Sequence, residues 1–282
     1  MSRIVYVNGE FLPEEEAKIS VFDRGFLFAD GIYEVSTVIK GKMIDNAAHM
    51  ARLRRSMNEL NMPSPASDEE ITEIQAELLV QNNIENGLIY LQITRGAADR
   101  DFVFPKEPKP SLVMFTQVLD AVGNPKAERG ISVITVDDVR WKRRDIKTVA
   151  LLAQSMAKQA AVDAGADDAW MVEDGFITEG TSNNAFIITK DDKIITRNLS
   201  NDILHGITRQ VVLELAAEKS LVVEERPFTL EEALDAKEAF VTSATAFVMP
   251  VVRINEQPLG NGGPGILSSQ LRAMYIKRAM EA

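Results

Sequence analysis

The sequence predicts an α/β protein of two domains, a small α+β first half followed by a larger α/β second half. Three observations predict it. Hairpin-like segments and strands flank a pair of amphipathic helices in the first 119 residues. A stretch rich in Gly, Pro and charge, "DAVGNPKAERG", then breaks the pattern over residues 120–130. Beyond it, strands and helices alternate through residues 131–282, and a chain of 282 residues is long enough to bury two cores.

The first domain opens with "IVYVNGEFLP", in which apolar and polar residues alternate about Asn8-Gly9, a strong hairpin signal. "GIYEVSTVIKGKMI" predicts a second hairpin turning at Lys40-Gly41. A helix follows over about residues 47–61, with Met50, Leu53, Met57 and Leu60 on its buried face and Arg52, Arg54 and Arg55 among them. Ser67 and Glu70 have capping-box spacing and open a second helix with Ile71, Ile74 and Leu78 turned inward. "GLIYLQITRG" and "SLVMFTQVL" read as strands.

After the linker, "ISVITVDDVRW" reads as a strand, and "IKTVALLAQSMAKQAAVDAG" as an alanine-rich helix stopped by Gly165. "DAWMVEDGFITEG" is a hairpin about Asp174-Gly175, and "NAFIIT" a further strand. "HGITRQVVLELAAEK" is a helix, "EAFVTSATAFVMPVVRI" returns to strand, and the Gly-rich "LGNGGPG" precedes a terminal helix. No repeat or low-complexity segment interrupts the order.

Composition narrows the function. A formal net charge of -11 argues against nucleic acid or an anionic membrane as partner. There is no cysteine, which excludes disulfides and thiolate metal sites, and the two histidines, His49 and His205, form no ligand-spaced cluster. No metal site is expected. "MSRIVYVNGEF" lacks the apolar core of a signal peptide and no run of 18 apolar residues occurs, so the expectation is a soluble cytoplasmic protein.

Four segments of the second half carry candidate chemistry. In "RRDIKTVALLA" the chain passes from charge to small aliphatic residues at Lys147, which is either a boundary lysine or a desolvated amine suited to nucleophilic catalysis. Glu179 in "TEGTSNN" either ends a strand facing solvent or is a part-buried carboxylate that fixes a cationic ring nitrogen. "HGITR" starts a helix, where the N–H groups of Gly206, Ile207 and Thr208 either serve an ordinary cap or cradle a phosphate. "TSATA" follows a strand, with small residues that permit close approach and hydroxyls on Ser243 and Thr245. Each is weak alone. Together, a lysine, a carboxylate and two phosphate-suited loops are the parts that hold pyridoxal 5'-phosphate, with Arg52 as a candidate cation for its phosphate.

Taken in order, "FDRGFLFADGIYE", "HMARL", "TRGAADRDF", "RWKRRDIKTVALLAQSMAKQ", "TEGTSNNAF", "LHGITR" and "FVTSATAFVMPV" resemble the fold-type IV (class IV) pyridoxal-phosphate aminotransferases, and most nearly the D-amino-acid aminotransferases. The resemblance covers about residues 4–255. It implies a larger domain of pseudo-barrel form and a homodimer. It makes Lys147 the Schiff-base lysine and Glu179 the partner of the pyridine nitrogen. Arg52 becomes the phosphate-binding arginine, Ile207 and Thr208 the phosphate-cradling helix start, and Ala244 and Thr245 part of a second phosphate loop with the cofactor-binding Ser243; Leu204 packs on the ring, and Ser182 lies close to the cofactor. Tyr33 and Arg100 fall on residues that bind the substrate carboxylate, and Arg100 either reaches a neighbouring subunit's site in that role or is an exposed loop arginine beside Asp99 and Asp101.

One position departs from the pattern. Phe102 stands two residues after Arg100, where D-amino-acid enzymes carry a histidine; a phenyl ring donates no hydrogen bond, so the carboxylate clamp is looser and leaves room for (R)-primary amines. The implied activity is ping-pong transamination between D-amino acids and 2-oxo acids such as pyruvate or 2-oxoglutarate. Its rivals are a branched-chain L-amino-acid aminotransferase, an aminodeoxychorismate lyase and, more remotely, a non-catalytic phosphate-ligand binding protein.

Overall fold

The computed structural model describes residues 2–281, which form two compact units. Residues 1–120 and 146–150 make the first, and residues 121–145 and 151–282 the second.

The first unit contains β1 (Ile4–Val7), β2 (Glu10–Pro13), α1 (Arg24–Phe28), β3 (Gly31–Ile39), β4 (Lys42–Met43), α2 (Asn46–Glu59), α3 (Asp68–Gln81), β5 (Gly87–Thr94) and β6 (Ser111–Val118). Its strands form one antiparallel sheet in the order β2-β1-β6-β5-β3-β4. Asn8 (φ 50°) with Gly9 (φ 107°), and Lys40 (φ 50°) with Gly41 (φ 76°), supply the paired positive φ angles that tight hairpins need. α3 opens on the capping box of Ser67 and Glu70. Met50, Leu53 and Met57 of α2 and Ile71 and Leu78 of α3 form a core with Ile32, Ile89, Leu91, Ile93 and Met114 of the sheet. On β3 the alternate residues Ile32, Glu34, Ser36 and Val38 are all buried, so a carboxylate sits at an inward position.

The segment 146–150 differs from its expected form. The predicted helix from Ile146 begins instead with α5 (Leu152–Asp163). The preceding residues are drawn along β3: Tyr33 N–H donates to the Lys147 carbonyl and Val149 N–H to the Gly31 carbonyl, both at 3.0 Å, about an antiparallel bridge of Thr148 with Ile32. Backbone committed to a strand cannot also close helical turns. α5 itself buries only Ala157 and Ala161, and leaves Leu152 (75%) and Met156 (61%) exposed.

The second unit contains α4 (Lys126–Arg129), β7 (Ile131–Asp137), α5, β8 (Asp168–Glu173), β9 (Phe176–Gly180), β10 (Asn184–Ile188), β11 (Ile194–Thr196), α6 (Ile207–Glu218), β12 (Val223–Glu225), α7 (Leu230–Asp235), β13 (Glu238–Ser243), β14 (Phe247–Ile254), β15 (Gln257–Pro258) and α8 (Ile266–Glu281). Its sheet runs β12-β11-β10-β13-β14-β7-β8-β9, with β15 beside β14. β7 lies parallel to both neighbours, whereas β8–β9, β10–β13 and β13–β14 are antiparallel. β9 ends the strand order, yet three residues suffice to join it to β10, and Gly180 N–H donates to the Asn183 carbonyl at 2.8 Å. The sheet therefore curls upon itself as a pseudo-barrel, around Val133, Trp170, Ile177, Ile187, Phe228, Val241 and Val251.

The stretch from Glu238 folds as the β13–β14 hairpin, turning within "TSATA", with Ser243 opposite Phe247 and Phe247 at φ 58°. α8 is tied to this hairpin. Buried Glu238 accepts from the N–H groups of Leu267 and Ser268, and Arg272 donates to the carbonyls of Ala246 and Val248 at 2.6 and 3.0 Å. Among the described residues no helix is long and apolar enough to cross a membrane.

Candidate active site

In the first unit, Lys147 and Tyr33 are brought together by the pairing of segment 146–150 with β3. The Lys147 Nζ lies 4.2 Å from the centroid of the Tyr33 ring, a cation–π contact, and the ring stacks in turn on Tyr90 (5.6 Å) and Tyr90 on Phe115 (4.6 Å). Lys147 N–H donates to Ser56 Oγ of α2 at 3.4 Å. The lysine is half-buried, on an extended segment rather than at a helix mouth.

Arg52 lies on the other face of β3 and is buried. Its Nε and one terminal nitrogen donate to the two oxygens of Glu34, each at 2.8 Å, and His49 Nδ1 lies 2.8 Å from Glu34 Oε2. Burial opposes ionisation of Glu34, but the Arg52 guanidinium and His49 outweigh it and bring its pKa down to about 2. The carboxylate holds one edge of the guanidinium fork and so sets the plane of the whole group. Arg100, by contrast, is exposed, 5.5 Å from the Phe28 ring centroid and 5.6 Å from that of Phe102. Phe28 and Phe102 are themselves 5.6 Å apart.

In the second unit Glu179, at the end of β9, is buried. Its Oε1 accepts from Arg140 at 2.5 Å, and its Oε2 from Asn184 Nδ2 at 3.0 Å and the Leu204 N–H at 3.1 Å. Burial pushes the Glu179 carboxyl up, against the pull of Arg140 and the Leu204 N–H. Asn184 also donates to the Leu204 carbonyl at 2.9 Å, so one amide ties β10 to both Glu179 and the 204 loop. Ser182 is exposed at the tip of the β9–β10 turn, whose neighbours Thr181 and Asn183 both donate to Asp168.

Gly206 is the N-cap of α6 and has no side chain to occupy the first N–H groups; Ile207 and Thr208 follow it, both buried. A Cβ at Gly206 would meet Asn184 Oδ1 at 2.0 Å, so only glycine lets the helix start approach that amide. Asn184 pairs with Thr242 in the sheet, which places their side chains on one face, and Thr242 Oγ1 is buried without a partner. The β13–β14 turn, with Ser243, Ala244 and Thr245, leaves the sheet at this same end. Open helix N–H groups, a turn of small residues and an unused buried hydroxyl fit a phosphate, and a buried carboxylate fits a protonated ring nitrogen.

Residues 31–254 match the model of the amino-transferase class IV family. The chain belongs to the class IV aminotransferases. It is 39% identical over 274 residues to a D-alanine aminotransferase of Staphylococcus aureus (strain MSSA476), covering 97% of this chain and 96% of that protein. A D-alanine aminotransferase of Bacillus licheniformis is 38% identical over 270 residues, 95% and 94% of the two chains. Among solved structures, a T.th. branched-chain amino acid aminotransferase with pyridoxamine 5'-phosphate superimposes with a TM-score of 0.92 at 25% identity, over 99% of this chain and 94% of that one. The aminotransferase uses pyridoxal 5'-phosphate, as class IV enzymes do.

Two residues of this enzyme escaped the sequence reading. Glu34 stands within "GIYEVSTVIKGKMI", where its inward place in a period-two strand is the signal that marks it. Arg140 was hidden among Lys142, Arg143 and Arg144; the nearby Asp138 was the one local hint. Those basic residues do not leave a field of free positive charge, because Arg140, Lys142, Arg143 and Arg144 each pair with a carboxylate of the same unit.

Proposed function

We propose that this aminotransferase moves amino groups between D-amino acids and 2-oxo acids such as pyruvate or 2-oxoglutarate, in two half-reactions of a ping-pong cycle. The observation that carries the proposal is the 39% identity to D-alanine aminotransferases over nearly the whole chain. Bound pyridoxal phosphate supplies the carbonyl that receives the amino group and a protonated ring that accepts the electron pair left when the α-hydrogen departs.

Lys147 Nζ would hold the cofactor covalently and would serve as the base that takes the α-hydrogen as a proton and returns it. Its contact with the Tyr33 ring supports that role by holding the amine beside a residue proposed to bind the substrate carboxylate. Glu179 faces the ring nitrogen and Leu204 packs on the ring, a pairing supported by the hydrogen bond between them. Arg52, Ile207, Thr208, Ser243, Ala244 and Thr245 hold the phosphate, and Ser182 lies at the edge of the cofactor. Tyr33 and Arg100 take the substrate carboxylate, and Phe102 beside Arg100 leaves space for (R)-primary amines. The enzyme acts as a cytoplasmic homodimer, which mass measurement in solution tests.

A second reading, transamination of branched-chain L-amino acids, is favoured by the close superposition on the T.th. branched-chain enzyme. A donor panel of D-alanine, D-glutamate, L-leucine, L-valine and (R)-1-phenylethylamine, each with pyruvate or 2-oxoglutarate, separates the two. Faster turnover of L-leucine than of any D-amino acid would overturn the first reading.

A further inference from the structure

A line of alternating charge runs through the second unit and ends on Glu179. Lys142 and Arg144 pair with Glu173, Arg144 lies 3.4 Å from Asp138, Asp138 binds Arg140, and Arg140 binds Glu179. The last three members are almost wholly shielded, with side-chain exposures of 0% for Asp138, 6% for Arg140 and 5% for Glu179.

The geometry within this line is directional. Asp138 takes the Nε and Nη2 edge of the Arg140 fork at 2.9 and 2.7 Å, and is itself held by Thr178 Oγ1 at 2.7 Å. Thr178 precedes Glu179 on β9, so the hydroxyl that holds Asp138 and the carboxylate that Arg140 reaches share one strand. With that edge fixed, Nη1 of Arg140 is aimed at Glu179 Oε1, 2.5 Å away. Asn184 and the Leu204 N–H then fill positions on Oε2. Three donors meet a group with about four acceptor positions, which leaves one for a further donor. Only one of the three donors carries a charge. A carboxyl buried this deeply reverts to its neutral acid unless a cation adjoins it, and a neutral acid cannot hold a proton on a ring nitrogen.

We propose that Arg140 is a positioning residue that, clamped by Asp138, keeps Glu179 ionised and turned so that its remaining acceptor position meets the protonated pyridine nitrogen of the cofactor. The proposal rests on the role of Glu179 given above. In this role Arg140 acts through the carboxylate it binds.

The test compares two ligands that differ only at the ring nitrogen: pyridoxal 5'-phosphate and its 1-deaza analogue, in which a C–H replaces that atom. Dissociation constants for both are measured by equilibrium dialysis on the full chain freed of cofactor, as wild type, Arg140→Met, Arg140→Lys and Glu179→Gln, with melting temperatures alongside. Wild type should prefer pyridoxal phosphate to the analogue by about tenfold or more, roughly the worth of one charge-assisted hydrogen bond. Arg140→Met should lose that preference while binding the analogue within about twofold of wild type, and Arg140→Lys should keep most of it. A merely structural arginine would weaken both ligands equally, and that result overturns the proposal, as does an unchanged preference in Arg140→Met. If Arg140→Met does not fold, Arg140→Gln, which retains an N–H donor but no charge, carries the same arm. If Glu179→Gln keeps the preference, the placing of Glu179 at the ring nitrogen fails, and the role of Arg140 with it; loss in Glu179→Gln but not in the arginine variants overturns the role of Arg140 alone.

Discussion

Tyr33 and Lys147 are joined twice: the Tyr33 N–H donates to the Lys147 carbonyl at 3.0 Å, and the Lys147 Nζ rests 4.2 Å from the centre of the Tyr33 ring. The backbone bond fixes where the lysine leaves the strand, and the ring fixes where its amine comes to lie. A nucleophile held by a sheet edge is better placed than one on a free loop, because both ends of its segment are bound.

Lys147→Ala should therefore lower transamination by about 1000-fold or more and leave the fold intact, since the side chain is only half-buried and the strand pairing uses backbone atoms. Borohydride treatment of the wild-type holoenzyme followed by peptide mapping should place the reduced cofactor on the peptide that contains Lys147. A label on another lysine would contradict the assignment.

The Glu34 cluster gives the first unit a dependence on acid. Its folded pKa, about 2, lies below the ordinary carboxylate value, so its stabilising contribution is complete above about pH 4.5 and is lost as the pH falls towards 2. The shift corresponds to about 3 kcal/mol. Denaturant titrations between pH 6 and pH 2 should show this decline in the wild type and a flatter profile in Glu34→Gln. That variant should also be weaker at neutral pH by about 3–5 kcal/mol, because Arg52 is left buried without its carboxylate.

Gly206→Ala tests the approach of α6 to Asn184. The backbone angle of φ -67° suits alanine, so the whole effect comes from the 2.0 Å encounter of Cβ with Asn184 Oδ1. Relief of that clash turns the amide away from Glu179 and Leu204. Isothermal or dialysis measurements should show cofactor affinity reduced by about 1–3 kcal/mol. Unchanged affinity would mean that Asn184 has a second rotamer that spares both bonds.

Arg100 is exposed and lies over the rings of Phe28 and Phe102, so its loss should not disturb the core. Arg100→Met should raise the KM for D-alanine by about tenfold with kcat within about twofold, the pattern of a lost carboxylate contact. The same variant should leave (R)-1-phenylethylamine, which has no carboxylate, unaffected.

Much of the fold was legible because its signals are local. The turns at Asn8-Gly9, Lys40-Gly41 and Asp174-Gly175 all take positive φ at both residues, and the Ser67–Glu70 box starts α3 where its spacing required. The errors arose where a distant partner decides. Residues 146–150 carry an alanine-rich, helix-like continuation, yet their hydrogen bonds go to β3, more than a hundred residues earlier. Glu179 stood open between surface and interior until Arg140, Asn184 and Leu204 were seen to surround it. Arg140 itself looked like one charge in a basic run, because the carboxylate that gives it a purpose lies 39 residues along the chain.

Substrate handedness separates D-amino-acid from branched-chain L-amino-acid transamination. Racemic alanine is incubated with the holoenzyme and 2-oxoglutarate, and the remaining alanine is resolved on a chiral column as the reaction proceeds. The D form should disappear while the L form persists. Consumption of L-alanine at an equal or greater rate would contradict it.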